Sequence, residues 1–357
     1  MSDKHTQDDG PKLATLGKIV PPRNVHVRRR FVRPAIVLVA AVIVLWLIVQ
    51  PGTKQLDVYR TVPDLQFADP VLAACVNKTA TAHGWNDAGR FTSLRCNNPK
   101  GGGVRDLGGI EHLVVLRDLN LAFNEITDVS ALVGLQHLQV LELSHNRIEA
   151  LPQLSSANSL ERLELNYNQL ESLAWLSSQY FPVLESLSVA HNRIEDTKPL
   201  VSLEKLHELN VRSNRIRDLE PVWQLTGLDM LDVGGNYVGD ISGIDSLTKL
   251  RRLFLDKNRI KAIDSIQSLE NLEQLDIGYN SLTSISAISS LFRLQRLDLR
   301  HTNIRDLDRI FVLGDIEQLE IAENPDLDCK FVSQAVQEFG REAVLFDQPC
   351  SLDPETK

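Results

Sequence analysis

LRDLNLAFNEI, residues 116–126, decides how this chain of 357 residues is built, because its pattern LxxLxLxxNxI returns at a fixed period. The asparagine, Asn124, recurs as Asn146, Asn168, Asn192, Asn214, Asn236, Asn258 and Asn280, gives way to Thr302, and comes back as Asn324. Every step is 22 residues except the 24 between Asn168 and Asn192. A unit this short cannot bury its apolar residues alone, so the units must stack as coils and share one core. The LxL segment alternates its side chains in and out as a short strand. In the second unit this puts Leu138, Leu141, Leu143, Ile148, Leu151 and Leu154 inside, each contributing roughly 1.5–3 kcal/mol on burial. Ile126, Val129, Leu132 and Leu135 fall at every third position, which suits a short 3-10 turn between strands.

Each asparagine sits where the chain leaves its strand, and its amide can both donate to and accept from backbone groups of adjoining coils. Loss of one is expected to cost about 1–3 kcal/mol. Thr302 has a single hydroxyl where its counterparts have a two-ended amide, so its coil is expected to be weaker, with faster amide exchange at Leu299 than at Leu255. The two extra residues of the long step fall near Ala174 to Pro182, where Trp175, Tyr180, Phe181 and Pro182 are expected to bulge outward. The period and spacing resemble the leucine-rich repeat family, and the 22-residue length resembles its internalin-like and SDS22-like subclass. The resemblance implies an α/β solenoid, a horseshoe of about ten coils over residues 107–327 with a parallel sheet on its concave side. It also implies a role in protein recognition.

An open coil exposes core leucines and strand edges, so both ends need lids. Residues 69–106 supply the first. Asp69 before Pro70 reads as an N-cap with proline at the first helical position, opening a helix that passes Val71, Leu72 and Cys75 and stops near Gly84. Leu94 and Cys96 then imitate the LxL of a first coil. At the other end, in 328–357, Cys329 and Cys350 flank a helical stretch from Phe331 to Phe339. Four cysteines, two at each end and none among the repeats, fit paired capping disulfides Cys75 with Cys96 and Cys329 with Cys350. Each closes a loop of about 20 residues, worth about 3 kcal/mol in the chain-entropy account. The segment NPDLDC, Asn324 to Cys329, resembles the start of the cysteine-bearing C-terminal flank of extracellular leucine-rich repeat proteins, with two cysteines here where that flank has four.

The composition, 43% hydrophobic and 24% charged, is that of an ordinary globular mixture, but the net charge of −9 is unevenly spread. Residues 1–33 carry +5 and residues 34–50 carry none, which leaves −14 for the rest. That uncharged run, PAIVLVAAVIVLWLIVQ, spans roughly 25 Å as a helix, enough for a slightly short membrane crossing. Arg28, Arg29, Arg30 and Arg33 precede it, so the expected topology is a single pass through the inner (plasma) membrane. The N-terminus is then cytoplasmic, a tether occupies 51–68, and the repeats are periplasmic or otherwise extracytoplasmic. Trp46 falls where an interfacial anchor would. A cleaved signal peptide is the competing reading, though no small-x-small site follows Val49. Cysteines placed for disulfides agree with an oxidising compartment.

Little in the chain points to catalysis. Gly101, Gly102 and Gly103 lack the order of a phosphate loop and read as a bulge in the first coil. Asn77-Lys78-Thr79 is a lone glycosylation sequon. His145 and His191 are two coils apart, about 10 Å, too far to share a zinc ion. Carboxylate pairs such as Asp276 and Asp298 sit on an open sheet where nothing excludes water. The expectation is no enzyme, no cofactor, no metal and no nucleic acid partner.

The outward positions are the informative ones. The residue before each asparagine reads Phe123, His145, Tyr167, His191, Ser213, Gly235, Lys257, Tyr279, His301 and Glu323. Phe123, His145, Tyr167 and His191 would form a nearly continuous rim, either a partner-binding edge or simply rings packed along the strand ends. Four before the asparagine stand Asn120, Glu142, Glu164, Ser188, Asn210, Asp232, Phe254, Asp276, Asp298 and Glu320. Stacked carboxylates repel unless balanced, and Arg162, Arg252, Arg296 and Arg300 are placed to balance them, Arg252 lying diagonal to Asp276. That column is either a self-paired solvated face or a groove for a cationic partner. Phe254 breaks it, and with Met230, Gly234, Gly235, Gly278 and Tyr279 it marks an expected anchor pocket with room for another backbone, Asp232 and Asp276 of the column being expected partner-binding residues beside it. A protein partner is the leading reading. The alternatives are a cell-wall glycan on Tyr167, Tyr279, Phe254 and the acidic column, and a regulatory subunit of a phosphatase-like enzyme.

Overall fold

The computed structural model describes residues 60–152 and 159–350. The basic tail, the apolar run 34–50, Leu154, residues 51–59 of the tether and the tail 351–357 lie outside them. Among the described residues no helix is long and apolar enough to cross a membrane.

The LxL segments are β1 (Ser93–Arg95), β2 (Asp118–Asn120), β3 (Val140–Glu142), β4 (Arg162–Glu164), β5 (Ser186–Ser188) and β6 (Glu208–Asn210). They continue as β7 (Met230–Asp232), β8 (Arg252–Phe254), β9 (Gln274–Asp276), β10 (Arg296–Asp298) and β11 (Gln318–Glu320), with β12 (Val344–Leu345) last. They form one parallel sheet in chain order. Because the period is constant, leucine falls opposite leucine at each step, as Leu119, Leu141 and Leu163 do. These leucines are buried and their strand neighbours face out. The return paths carry the short 3-10 turns the spacing predicts, for example Ser130–Gly134 and Asp264–Ser268.

Both lids are present. Helix α1 (Pro70–His83) starts at Asp69 and ends at Gly84 in the left-handed conformation. One oxygen of Asp69 accepts from the N–H groups of Val71 and Leu72, and the other accepts from Arg105 N–H at 2.7 Å, so one residue both caps the helix and fastens it to the first coil. Burial raises its pKa, but four backbone donors outweigh this and hold the carboxyl below its ordinary value. Helix α2 (Cys329–Phe339) covers the far end. Cys75 bonds Cys96 and Cys329 bonds Cys350, with Cα separations of 5.8 and 5.3 Å.

Two expectations are corrected here. Trp175 and Phe181 do not bulge outward. Both are buried, edge to face with centroids 5.8 Å apart, and the indole N–H donates to the Ser172 carbonyl. The longer coil gives large rings room to turn inward, where burying them is worth more than exposing them; of the four residues Tyr180 is half-buried and Pro182 exposed. Gly103 is not a slack bulge. A Cβ there would lie 2.3 Å from Asn124 Oδ1, so only glycine lets the chain approach the first asparagine.

The asparagines form the ladder the period implies. Asn236 Nδ2 donates to Val233 O of its own coil at 2.9 Å and to Val211 O of the preceding coil at 3.0 Å, while Oδ1 accepts from Ile216 N–H at 3.0 Å. Asn192 keeps the same set across the 24-residue step. Thr302 does not. Its hydroxyl donates within its own coil, to Leu299 O at 2.7 Å, and makes no bond to the coil before it. The coils part at this point, opening a cleft of about 860 Å³ between residues 282–286 and 303–309. Leu282 and Ile304, 8% and 6% exposed where Ile260 and Ile216 are fully covered, show the same parting. Thr302→Asn is therefore expected to raise stability by about 1 kcal/mol, read from the urea midpoint; a fall in the midpoint would count against this account.

Candidate protein-binding face

The residue before each ladder asparagine leaves its strand in the left-handed region, with φ between 53° and 66° from Phe123 through Glu323. Repetition of that turn sets side chains of successive coils in register along one edge of the sheet. Phe123, His145, Tyr167 and His191 accordingly stack, with centroids 4.2, 4.2 and 4.0 Å apart and planes within 11°. Phe123 and Tyr167 remain 42% and 47% exposed. Burial, then the charges of Arg212 and His145, lower the pKa of His191 below its ordinary value. Further along, Tyr279 lies between Lys257, 5.5 Å from its ring centre, and His301, whose ring is 5.3 Å away. Its hydroxyl donates to Glu323 at 2.8 Å, a bond that raises the phenol's pKa.

The acidic column has a local purpose that the spacing alone does not reveal. Asn120, Glu142, Asn210, Asp232, Asp276 and Asp298 each accept a hydrogen bond from the N–H two residues on, satisfying a backbone donor where the strand ends. Countercharge comes from arginines that reach across strands. Arg212 forks onto Asp256 at 2.6 and 2.8 Å and touches Asp232 at 3.3 Å. Burial raises the pKa of Asp232 against the pull of the Gly234 N–H and of Arg212. Arg300 pairs with Asp298 and with Glu320. Arg252 does not serve Asp276. It crosses Met230 to Glu208, at 3.1 Å, two strands back.

Asp276 is left between the two arginine clamps. Burial, then the charges of Asp256 and Asp298, push its pKa up to about 7. It opens onto a depression of about 190 Å³ that Gln274, Arg296, Asp298, Arg300, Gln318 and Glu320 also line. Phe254, half-buried, is paired with it on the neighbouring strand. The room expected at Gly234 and Gly278 is not there. A Cβ on Gly234 would come within 2.3 Å of Arg212 and 2.4 Å of Asp256, so that space already holds their ion pair. The gap at Gly278 is likewise taken up by Asp298 and Asp276, 3.1 and 3.4 Å away. Arg212 and Asp256 are the residues sequence reasoning missed. Their signal was the column two before the asparagine, where Arg212, Gly234, Asp256, Gly278 and Arg300 alternate long with small. Among the described residues no group of His, Cys, Asp and Glu could hold a metal ion.

Comparison with known proteins places this geometry. The profile described as leucine rich repeat matches residues 137–194, 204–260 and 248–304, and the two-copy leucine rich repeat profile matches 114–156 and 182–222. An internalin (inlF) from Listeria monocytogenes is similar at 26% identity, over 76% of this chain and 96% of that one, with a TM-score of 0.51. A Leptospira interrogans LRR protein is similar at 27% identity, over 69% and 62% of the two chains, with a TM-score of 0.59. The functional domain of InlJ from Listeria monocytogenes is similar at 25% identity, over 75% and 60%, with a TM-score of 0.62. This chain thus spans about three-fifths of the latter two. No curated protein sequence matches it. Profiles that together run over more than half of the chain, a ladder of asparagines and a parallel strand in every coil agree: the chain belongs to the leucine-rich repeat proteins.

Proposed function

We propose that this is an internalin-like, membrane-anchored protein whose extracytoplasmic repeats bind a protein partner through the sheet face and its ring-lined rim, without catalysis. The observation that carries the reading is the exposed ring column beside a sheet face on which, among the described residues, no arginine is paired with Asp276. Aromatic rims of this kind bury much area at little entropic cost, and a lysine or arginine of the partner would supply the missing countercharge. The apolar run 34–50 with its preceding arginines supports the anchor. Two bonded cysteine pairs suit an oxidising compartment and weigh against a cytosolic phosphatase regulator. The same fold holds a peptide hormone in a plant receptor of 20% identity, a likeness of fold alone.

The glycan alternative needs open ring faces for a sugar to lie on. In the rim stack each inner ring has both faces covered by neighbours about 4 Å away, and Tyr279 is flanked on two sides by Lys257 and His301. Apart from the outer faces of the two end rings, Phe123 and His191, only edges are offered, which suits the side chains of a polypeptide. The test is photocrosslinking in intact cells, with a benzophenone amino acid at Tyr167, at Phe254, or at Lys198 in a 3-10 turn away from the strands. A discrete polypeptide adduct from Tyr167 or Phe254 but not from Lys198 is expected. Absence of any adduct at the first two positions moves the weight to a glycan ligand or another face.

A further inference from the structure

The ring column is interrupted. After His191 the same position holds Ser213 and then Gly235, both in the left-handed conformation of the column, and rings resume only at Tyr279. The three nearest atoms to a Cβ built on Gly235 all belong to Ser213, at 3.0 and 3.5 Å, so the column here is bordered by a serine and a glycine packed closely on each other where rings stand before it. We propose that this interval is a notch for an aromatic side chain of a polypeptide partner, with acidic residues beside that ring held by Lys257 and Arg259. The proposal rests on the partner-binding reading above and specifies the partner's chemistry.

Three observations carry it. The column accepts flat rings at a repeat of 4.0–4.2 Å, and the outer face of His191 has no further ring against it. A ring entering from a partner therefore continues an existing stack. The charge on this edge then changes beyond the notch. Arg147, Arg193 and Arg215 are paired with Glu125, Glu171 and Glu195. Among the described residues none of Arg217, Lys257, Arg259 and Lys261 has a carboxylate partner, on a chain whose net charge is −9. Finally, Tyr237, 41% exposed and two residues past Gly235, lies between Arg217 and Arg259, whose guanidinium carbons are 5.9 and 4.8 Å from its ring centre. Cations held over an aromatic ring and left without a carboxylate are placed to receive one.

A peptide fits better than a continuous polyanion. The chain carries a net charge of −9, and Glu142, Asp298 and Glu320 recur along the column beside the rim, so a nucleic acid or polyphosphate laid along its length meets like charge, whereas isolated acidic residues flanking one ring do not.

The test uses the full chain with the benzophenone probe at Tyr167 as readout. Ser213→Tyr fills the notch without straining the backbone, since Tyr167 and Tyr279 already occupy that column at φ 54° and 56°. It is expected to lower the adduct at least tenfold, as is the double change Lys257→Glu with Arg259→Glu, while Lys198→Glu leaves it intact. The crosslinked segment of the partner is expected to hold an aromatic residue beside Asp or Glu. Wild-type yield in Ser213→Tyr, or a basic segment without a ring, overturns the notch and leaves the receptor reading standing. If the unmodified chain gives no adduct at all, that broader reading fails first. The notch is then judged by titrating the purified chain with fluorescein-labelled EDYDE and EDADE peptides. At least tenfold tighter binding of the tyrosine peptide, lost in Ser213→Tyr, supports it, and equal or absent binding overturns it.

Discussion

Asn236→Ala is expected to lower stability by about 3–5 kcal/mol, above the roughly 1–3 kcal/mol the sequence alone suggests because three backbone groups lose their partner at once, and several times the effect of removing any exposed charge on the same coils. The amide serves Val211 O, Val233 O and the Ile216 N–H at once, and Asn236 is 4% exposed, so water cannot replace it. Each stranded backbone group costs about 1–3 kcal/mol, and the small void adds to that. Two of the three partners belong to the preceding coil, so the loss falls on the junction that neighbour stacking depends on. Thr302 shows what the chain does when the amide is missing: its hydroxyl bonds Leu299 O within its own coil, and a cleft lies between residues 282–286 and 303–309 just past it. The check is urea unfolding of Asn236→Ala beside Arg193→Ala, whose guanidinium meets Glu171 at 3.5 Å on the surface. A loss of under about 1 kcal/mol at Asn236, or a loss equal to that at Arg193, would show that the ladder is decorative.

The scaffold was legible because a period of 22 residues fixes which side chains face each other before any contact is known. Leu119 must meet Leu141, and Phe123 must lie beside His145, once the coils stack in register. The lids were legible for a different reason, since a proline after an aspartate and a cysteine pair at each end are local signals. What escaped was reach. A column gives the position of Arg252 but not that its side chain passes over Met230 to Glu208, two strands back, leaving Asp276 without it. Nor does it show that Gly234 is small because Arg212 and Asp256 meet across it. The two extra residues near Trp175 lengthen the coil without showing which way it goes, and large rings gain more by filling the widened coil than by looping out. The chemical roles of the exposed residues are the least legible, because the repeat constrains the inward positions and leaves the outward ones free.

Asp276→Asn is expected to act in opposite directions on stability and on binding. The folded carboxyl titrates at about 7 against an ordinary value of 3.8, so the native state holds its proton more tightly than the unfolded chain does. A group raised in this way leaves stability unaffected below pH 4 and takes it away as pH rises from about 4 to about 7. The amide carries no charge to bury beside Asp256 and Asp298, and its oxygen can still accept from Gly278 N–H, which meets Asp276 Oδ1 at 3.1 Å. The variant should therefore be more stable than the wild type by about 2–4 kcal/mol at pH 8, with the two converging near pH 4. Urea midpoints across that range decide it, and a wild type that is the more stable at pH 8 would refute the assignment. The same substitution removes the carboxylate that the proposed partner's lysine or arginine would meet, so crosslinking from Tyr167 should fall at pH 8 even as the scaffold becomes firmer. Loss of binding from a more stable protein cannot be ascribed to unfolding. A carboxylate kept at a cost in the free molecule, where asparagine would serve the backbone equally well, is what a binding site looks like before its counterion arrives.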